Sequence, residues 1–488
     1  MKKTLTLTII LIALWAISTF IISNQTQEEF NHYIERSNRL YSANGLKLTL
    51  SDYNKSFLSS TATLQINFTN PEIVKEVEKE YLLPIEISYT IEHGPLLFTD
   101  GLGFGLSRVH NQLLVSSLLQ PTVKEEFLKL VKEDITLDTE MVISFSKALY
   151  YTIKSNNIEI HQENREFKMT PLNFQGVSNL QTLAGEGYIS IAQLQFKEEN
   201  SSNRIKIDNL TLDMDIDEIA EKKIIFGDFV FSIGNLFIHD DTNPQIEQMN
   251  IGFNAVMKSE RVNETMMNSM IHGLIDFKDT KLPNELKSLK NIELAMEMKD
   301  LGIKGMSKLQ EVAENSQKEQ IKLLEEIKTT SPQNQQLLFK KFNRLQEKML
   351  TDILHTFNQL LIKDKSSIAY IFKMKSEDKA STQALLEVGY TGEMEFKGTF
   401  EEIAQRVQSK ILSLMRLNIN IELNKKHLEL LGNPMLKPQL KMGVAQGFVK
   451  ENNSSYILKG YYKNGELMVN DNNLTATILP LLVMITLD

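Results

Sequence analysis

The sequence predicts an α+β protein, β-rich, in which long antiparallel strands form an extended twisted sheet, or two sheet modules, with packed helices, a central helical pair and an N-terminal transmembrane helix. Three observations carry this expectation. Segments alternating apolar and polar residues recur along the chain, a stretch near Met306 to Lys363 switches to helical spacing, and an uncharged apolar run opens the chain. With 488 residues and 42% hydrophobic content, the chain can bury a substantial core.

The opening run, Leu5 to Ile22, carries no charge and approaches the roughly 20 residues that cross a bilayer as a helix. It is longer than the apolar core of a cleaved signal peptide, and "STFIISNQT" offers no small-residue cleavage site, so it reads as an uncleaved signal anchor. Lys2 and Lys3 precede it and Glu28 and Glu29 follow, which places the N-terminus in the cytoplasm and everything after Ser23 outside. The expected organisation is therefore a cytoplasmic tip and anchor over residues 1–23 and an extracytoplasmic body over 24–488, with the helical pair at about 305–363.

In the body, Thr61–Phe68, Ile85–Glu92, Tyr188–Phe196, Ile205–Ile216, Ile224–Ile238, Gln248–Met257, Asn291–Met298, Ser367–Met374, Leu385–Gly398 and Asn418–Asn424 all alternate with the two-residue period of half-buried strands. One wet face and one apolar face follow from that pattern. In the helical pair, Ser331 and Pro332 fit the start of the second helix, whose Leu338, Phe342, Leu345, Met349, Ile353, Phe357 and Leu360 form one apolar stripe, as for a helix laid on a sheet. Shorter helices are expected at Thr122–Glu133, Glu260–Asp276 and Thr399–Leu417. The final apolar segment, Ile478–Leu487, is too short to span a bilayer and reads as a buried terminal strand, with membrane contact or a partner groove as alternatives.

Composition excludes several chemistries. The 53 Lys and Arg against 62 Asp and Glu leave a formal charge of -9 without a basic block, so nucleic acid is not an expected partner. The absence of cysteine removes disulfides, thiolate nucleophiles and thiolate metal sites. Ser144 and Lys147 match S-x-x-K, and Ser155-Asn156-Asn157 and Lys463-Asn464-Gly465 echo companion boxes of penicillin-binding enzymes, but the first two lie too close together and the third reads as a hairpin tip. Asp213, Asp215 and Asp217 lack the glycine and glutamate of a calcium loop, and His239 to Asp241 reads as a loop after a strand. No catalytic residue, metal or cofactor is predicted, and the ligand-binding residues are left unassigned.

The stretch "IEHGPLLFTDGLGFGLSRVH" concentrates a histidine, a Gly-Pro turn and Gly101, Gly103 and Gly105. His93 falls on the apolar face of its strand, where a core histidine is the commoner role than a catalyst. Gly94-Pro95 ends the strand, and the glycine spacing fails the dinucleotide pattern but suits a strand face that another element approaches closely. Near the C-terminus, Asn464-Gly465 is a two-residue hairpin signal pairing Lys463 with Glu466 and Tyr462 with Leu467.

After a single N-terminal anchor, these two stretches resemble the YdgA-like family of bacterial envelope proteins, a domain of unknown function. The motif residues are His93, Gly94, Pro95, Gly101, Gly103, Gly105, Asn464, Gly465 and Asn470; Asp471 follows Asn470 where the family pattern has glycine. The resemblance implies a protein anchored in the inner membrane of a Gram-negative bacterium with its body in the periplasm, and it brings no catalytic residues. Three functions are then open: a non-enzymatic envelope protein binding lipid or another apolar ligand, a scaffold binding envelope proteins through the helical pair, and a hydrolase of an envelope polymer.

Overall fold

A computed structural model of the chain describes residues 2–41, 45–99, 101–198, 201–220, 224–241, 248–278, 288–329, 332–392, 394–428 and 435–476. Ser331 and the segment Ile478–Leu487 lie outside them, as do the side chains of residues 1–14. Two compact units are present, residues 1–219 with 227–250 and residues 220–226 with 251–488.

The first unit opens with α1 (Lys2–Tyr41) and continues through β1 (Leu46–Lys55), β2 (Ser59–Phe68), α2 (Pro71–Val77), β3 (Ile85–His93), the short β4 (Leu96–Leu97) and β5 (Gly103–Phe104), and β6 (Ser107–Leu114). Then come α3 (Pro121–Leu130), β7 (Thr136–Ile143), β8 (Ala148–Ser155), β9 (Ile158–Gln162), β10 (Arg165–Met169), β11 (Leu172–Asn179), β12 (Gly185–Glu198) and β13 (Arg204–Ala220). Antiparallel pairs run β1–β2–β3–β6–β7–β8–β11–β12–β13, with the β9–β10 hairpin added to β12. In such a meander the connections after β1, β3, β7 and β11 fall along one edge.

Over β1 to β8 the apolar face of this sheet is covered by α1. Ile22 packs with Leu106, Ile143, Leu149 and Leu180, while Phe30 bridges that cluster to Ala62, Ile91 and Val109. Thr19, Ser23, Thr26 and Ser37 are also buried, so small side chains let the helix approach closely. Thr19 and Thr26 donate their hydroxyls to the carbonyls of Trp15 and Ile22, which satisfies them within the helix. Asn38 donates to the Leu48 carbonyl at 2.8 Å and accepts from its N–H at 2.7 Å, standing in for a strand neighbour beside β1. Glu29 meets Lys147 at 2.8 Å, and Arg36 donates to the Leu180 carbonyl.

Two strands, β14 (Ile224–His239) and β15 (Gln248–Arg261), contribute residues to both units. The second unit holds β16 (Met266–Phe277), β17 (Leu289–Gly302), α4 (Ile303–Thr329), α5 (Pro332–Leu360), β18 (Ser367–Ser376), β19 (Ser381–Tyr390), α6 (Phe400–Leu414) and β20 (Met415–Asn424). It closes with α7 (Leu436–Ala445), β21 (Lys450–Glu451), β22 (Ser455–Lys463), β23 (Glu466–Val469) and β24 (Asn472–Asn473). The ladder is β15–β16–β17–β18–β19–β20–β22–β23–β24, antiparallel throughout.

Several expectations are corrected here. Glu260–Asp276 is not a helix: it holds the end of β15, a turn and most of β16. Its methionines, Ile271, Leu274 and Ile275 fit a helical stripe as well as a strand, and full-length pairing with β15 and β17 decides for the strand. Leu385–Gly398 stops being a strand at Tyr390, because Thr391 turns to donate to the Leu414 carbonyl. The second helix of the pair is not laid along the sheet. α4 and α5 pack on each other, and only their base enters the core, where Ile303 and Leu360 join Ile224, Phe226, Met267 and Leu301. Among the described residues, no helix is long and apolar enough to cross a membrane. The backbone of Leu5–Ile22 is the first half of α1, and its side chains through residue 14 are outside the description.

Burying Ile22 and Ile34 contributes on the order of 3–6 kcal/mol to the first unit, a large share of a domain's net stability, and the half-buried Phe30 and Tyr33 add to it. A chain beginning at Leu14 is therefore expected to keep a cooperative thermal transition in the first unit, and a chain beginning at Asn24 to lose several kcal/mol with Ile22. One beginning at residue 42 should leave strands β1–β8 unprotected in hydrogen exchange.

Candidate functional site

The second unit presents an open candidate surface built from cross-strand rows. Met257, Ile271, Met296, Tyr370, Leu386 and Ile419 pair in one row across six strands, and Ala255, Gly273, Leu294, Phe372, Ala384 and Ile421 in the next. All lie on one face, since directly paired residues point the same way. The small residues Ala255, Gly273 and Ala384 leave depth between the larger ones, and the result is a cleft of about 610 Å³. That volume sits within the roughly 300–1,000 Å³ usual for small-ligand sites. Leu294 is 56% exposed, Tyr370 51% and Ile271 43%, so this apolar face is open.

The opposite face of the same strands is wet. Glu293 accepts from Lys373 at 2.7 Å and lies 3.4 Å from His272. The Lys373 hydrogen bond, reinforced by the charges of Lys373 and His272, holds the Glu293 carboxyl below its usual range. Charged groups thus gather on one face and leave the cleft to hydrocarbon, which suits an apolar ligand.

The first unit has a smaller enclosed counterpart. A cavity of about 310 Å³ remains between Phe30, Tyr33 and Ile34 of α1 and the sheet residues Leu64, Ile87 and Tyr89. Here the helix itself lies against the apolar face of β1 to β8.

The motif residues assemble into two knots of packing. His93, 1% exposed, ends β3 with Nε2 2.7 Å from Ser60 Oγ, and its backbone N–H donates to the Leu58 carbonyl. Burial, aided by the Lys55 charge, pushes the imidazole down to about 4. Beyond it, Gly94 N–H donates to the Leu106 carbonyl at 2.8 Å, and a Cβ on Gly94 would overlap the Gly105 carbonyl oxygen. Pro95 accepts from Gly105 N–H, Gly101 takes a φ of 110°, and Gly103 lies in β5 against Leu97. Closed to solvent, the pair of Ser60 and His93 latches the start of β2 to the end of β3.

In the second unit Asn464 and Gly465, at φ 52° and 83°, form the tight turn, with Lys463 opposite Glu466 and Tyr462 opposite Leu467. Asn470 and Asp471 make a second such turn at φ 45° and 72°, pairing Val469 with Asn472. An aspartate tolerates this conformation better than most residues, which lets it stand in glycine's place. The Asn470 side chain is buried, donating to the carbonyls of Phe448 and Ile457 and accepting from Lys459 N–H.

His427 had no signal in the sequence. It is 1% exposed, with Nε2 2.6 Å from Ser376 Oγ and Nδ1 2.8 Å from Thr382 Oγ1, and burial lowers its pKa. Its partners lie 51 and 45 residues away, and only the β18–β19 turn brings them to it.

The remaining candidates stay apart. Ser144 accepts from Ala148 N–H in a turn, Lys147 is paired with Glu29, and Ser155 accepts from Leu172 N–H. Asp213 and Asp215 stand opposite Tyr188 and Glu186 on one face of β13, with Asp217 two residues on. His239 Nε2 lies 2.9 Å from Asp241. No group of acidic, histidine or cysteine side chains suited to a metal occurs among the described residues.

Acid should expose the His93 latch. The neutral imidazole is required by the fold, so stability is full above about pH 6.5 and falls as the pH drops towards about 4. Urea unfolding at pH 7.5 and 4.5 is expected to show His93→Gln reducing that acid loss by about 2–3 kcal/mol. An unchanged loss would remove His93 as its source.

Neither the curated proteins nor the solved structures contain a match to this chain. A family model does match, over residues 1–476, and takes in both motif stretches and both units up to the last described residue. The chain therefore belongs to the family described as bacterial protein of unknown function, DUF945.

Proposed function

We propose that this protein is a non-enzymatic, YdgA-like envelope protein, held in the inner membrane by Leu5–Ile22 with its body in the periplasm, whose second unit binds lipid or another apolar ligand. The open apolar face centred on Leu294 carries this reading. Large hydrophobic side chains left in water at this density are costly, and a ligand that covers them recovers about 25 cal/mol per Å² of apolar surface. An alkyl chain suits the cleft better than a polar metabolite, because its lining supplies few hydrogen-bonding groups. The anchor reading rests on the uncharged run Leu5–Ile22 and its flanking charges.

A second reading has its own observation. On α5, Leu337 is 61% and Phe339 54% exposed, so the helical pair offers apolar contacts to a protein partner.

Native mass spectrometry tests the first reading on the chain beginning at Leu14, once that chain is seen to melt cooperatively, purified without detergent. A stoichiometric apolar adduct is expected, and Leu294→Asp, at an exposed position, should lose most of it while keeping the melting temperature. An adduct-free protein, or one whose adduct survives Leu294→Asp, would overturn this assignment and direct attention to partners of Leu337 and Phe339.

A further inference from the structure

The level at which α1 leaves the first unit is informative. A bilayer's hydrocarbon is about 30 Å thick and a helix rises about 1.5 Å per residue, so Leu5–Ile22 needs nearly its whole length to cross. Yet the body holds the last part of that run: Thr19 is fully buried and Ile22 is in the core. The ten residues from Leu5 to Leu14 would cover only about 15 Å by themselves. On the outward side of the held part, Ile17 is 59% exposed, Phe20 58% and Ile21 52%. If Leu5–Ile22 crosses, the rim of the body beside these residues cannot stand clear of the lipid.

That rim has the composition such a position demands. It is the edge carrying the connections after β1, β3 and β7, and Phe57, Phe98, Leu102, Phe104 and Phe145 all project from it, Leu102 and Phe104 at 70% exposure. Phe57 meets Trp15 of α1 edge-on with ring centroids 6.3 Å apart, and Lys55 Nζ lies 5.2 Å from the Phe20 ring. These contacts fix the rim at the level of α1's exposed apolar residues. Aromatic rings, with a lysine reaching past them, are the side chains favoured where hydrocarbon meets headgroups. The hairpin bearing Phe98 and Phe104 is seated from below, with Leu97 fully buried and Glu92 accepting from Phe98 N–H.

We propose that this rim is a membrane-docking surface: Phe57, Phe98, Leu102, Phe104 and Phe145 enter the headgroup and upper acyl region of the bilayer that receives Leu5–Ile22. The inference rests on the anchor reading above and adds to it a fixed depth and orientation of the first unit. Rim and helix together supply the apolar length that the helix lacks alone.

The chain contains no cysteine, so single-cysteine spin labels can be placed on the full-length protein without background. Phe57→Cys, Leu102→Cys, Phe104→Cys and Phe145→Cys would be labelled in vesicles of phosphatidylethanolamine and phosphatidylglycerol. Leu128→Cys, an equally apolar but distant exposed site on α3, serves as the aqueous control. Rim labels are expected to show a several-fold loss of collisions with a water-soluble nickel chelate, and a gain with oxygen, relative to the control. If the protein floats with vesicles and resists carbonate extraction but the rim labels match Leu128→Cys, the rim proposal is overturned and the anchor stands. If the protein does not float with vesicles at all, both fail.

Discussion

The strands beneath α1 and the strands that line the open cleft each turn one apolar face outward from their backbone, and an apolar face must be covered by something. In the first unit α1 does this, and the unit's stability rests on it. Small buried residues at Thr19, Ser23, Thr26 and Ser37 bring the helix close, while Ile22, Phe30, Tyr33 and Ile34 face the strands and leave a cavity of about 310 Å³ between them. The same helix carries the apolar run Leu5–Ile22, so a segment that reads as an anchor is also a structural part of the body. The two roles fall on one continuous helix, α1, whose second half is packed into the core of the unit.

The second unit meets the same requirement differently. Its long helices satisfy each other, with only Ile303, Leu360 and their neighbours rooted in the core. The rows through Leu294 and Tyr370 are left facing outward. A sheet with Glu293, Lys373 and His272 on its wet face cannot turn over to hide the other, since each residue's face is fixed by the pleat. The open cleft is thus a direct outcome of strand register combined with helices that pack elsewhere.

Buried polar groups mark where distant segments are pinned. His93 on Ser60, His427 on Ser376 and Thr382, and Asn470 on three backbone groups each close a strand end against a neighbour. In the low-dielectric interior a polar group gains most from a partner, and here each partner comes from a different element of the chain. Gly94 and Gly105 belong to the same kind of joint, where two backbones come too close for a side chain. The stretch from His93 to Gly105 is a joint between strand ends, and the open apolar cleft lies in strands that carry no motif.

The sequence by itself determined what depends on neighbours along the chain. Alternation placed β2, β3, β12, β13, β17, β18 and β20, Asn464-Gly465 specified its turn and register, and an apolar stripe located α5. Short-range steric and hydrophobic preferences suffice for these. Only tertiary structure decided that the region around Met266–Phe277 is a strand, because its apolar residues fit either period and two flanking strands supplied backbone partners. It also decided that α5 lies on α4, that His427 has two hydroxyl partners, and that α1 covers one apolar face while another stays open. Those outcomes depend on which surfaces meet across dozens or hundreds of residues, and a pattern of apolar positions says that a face must be buried without saying against what.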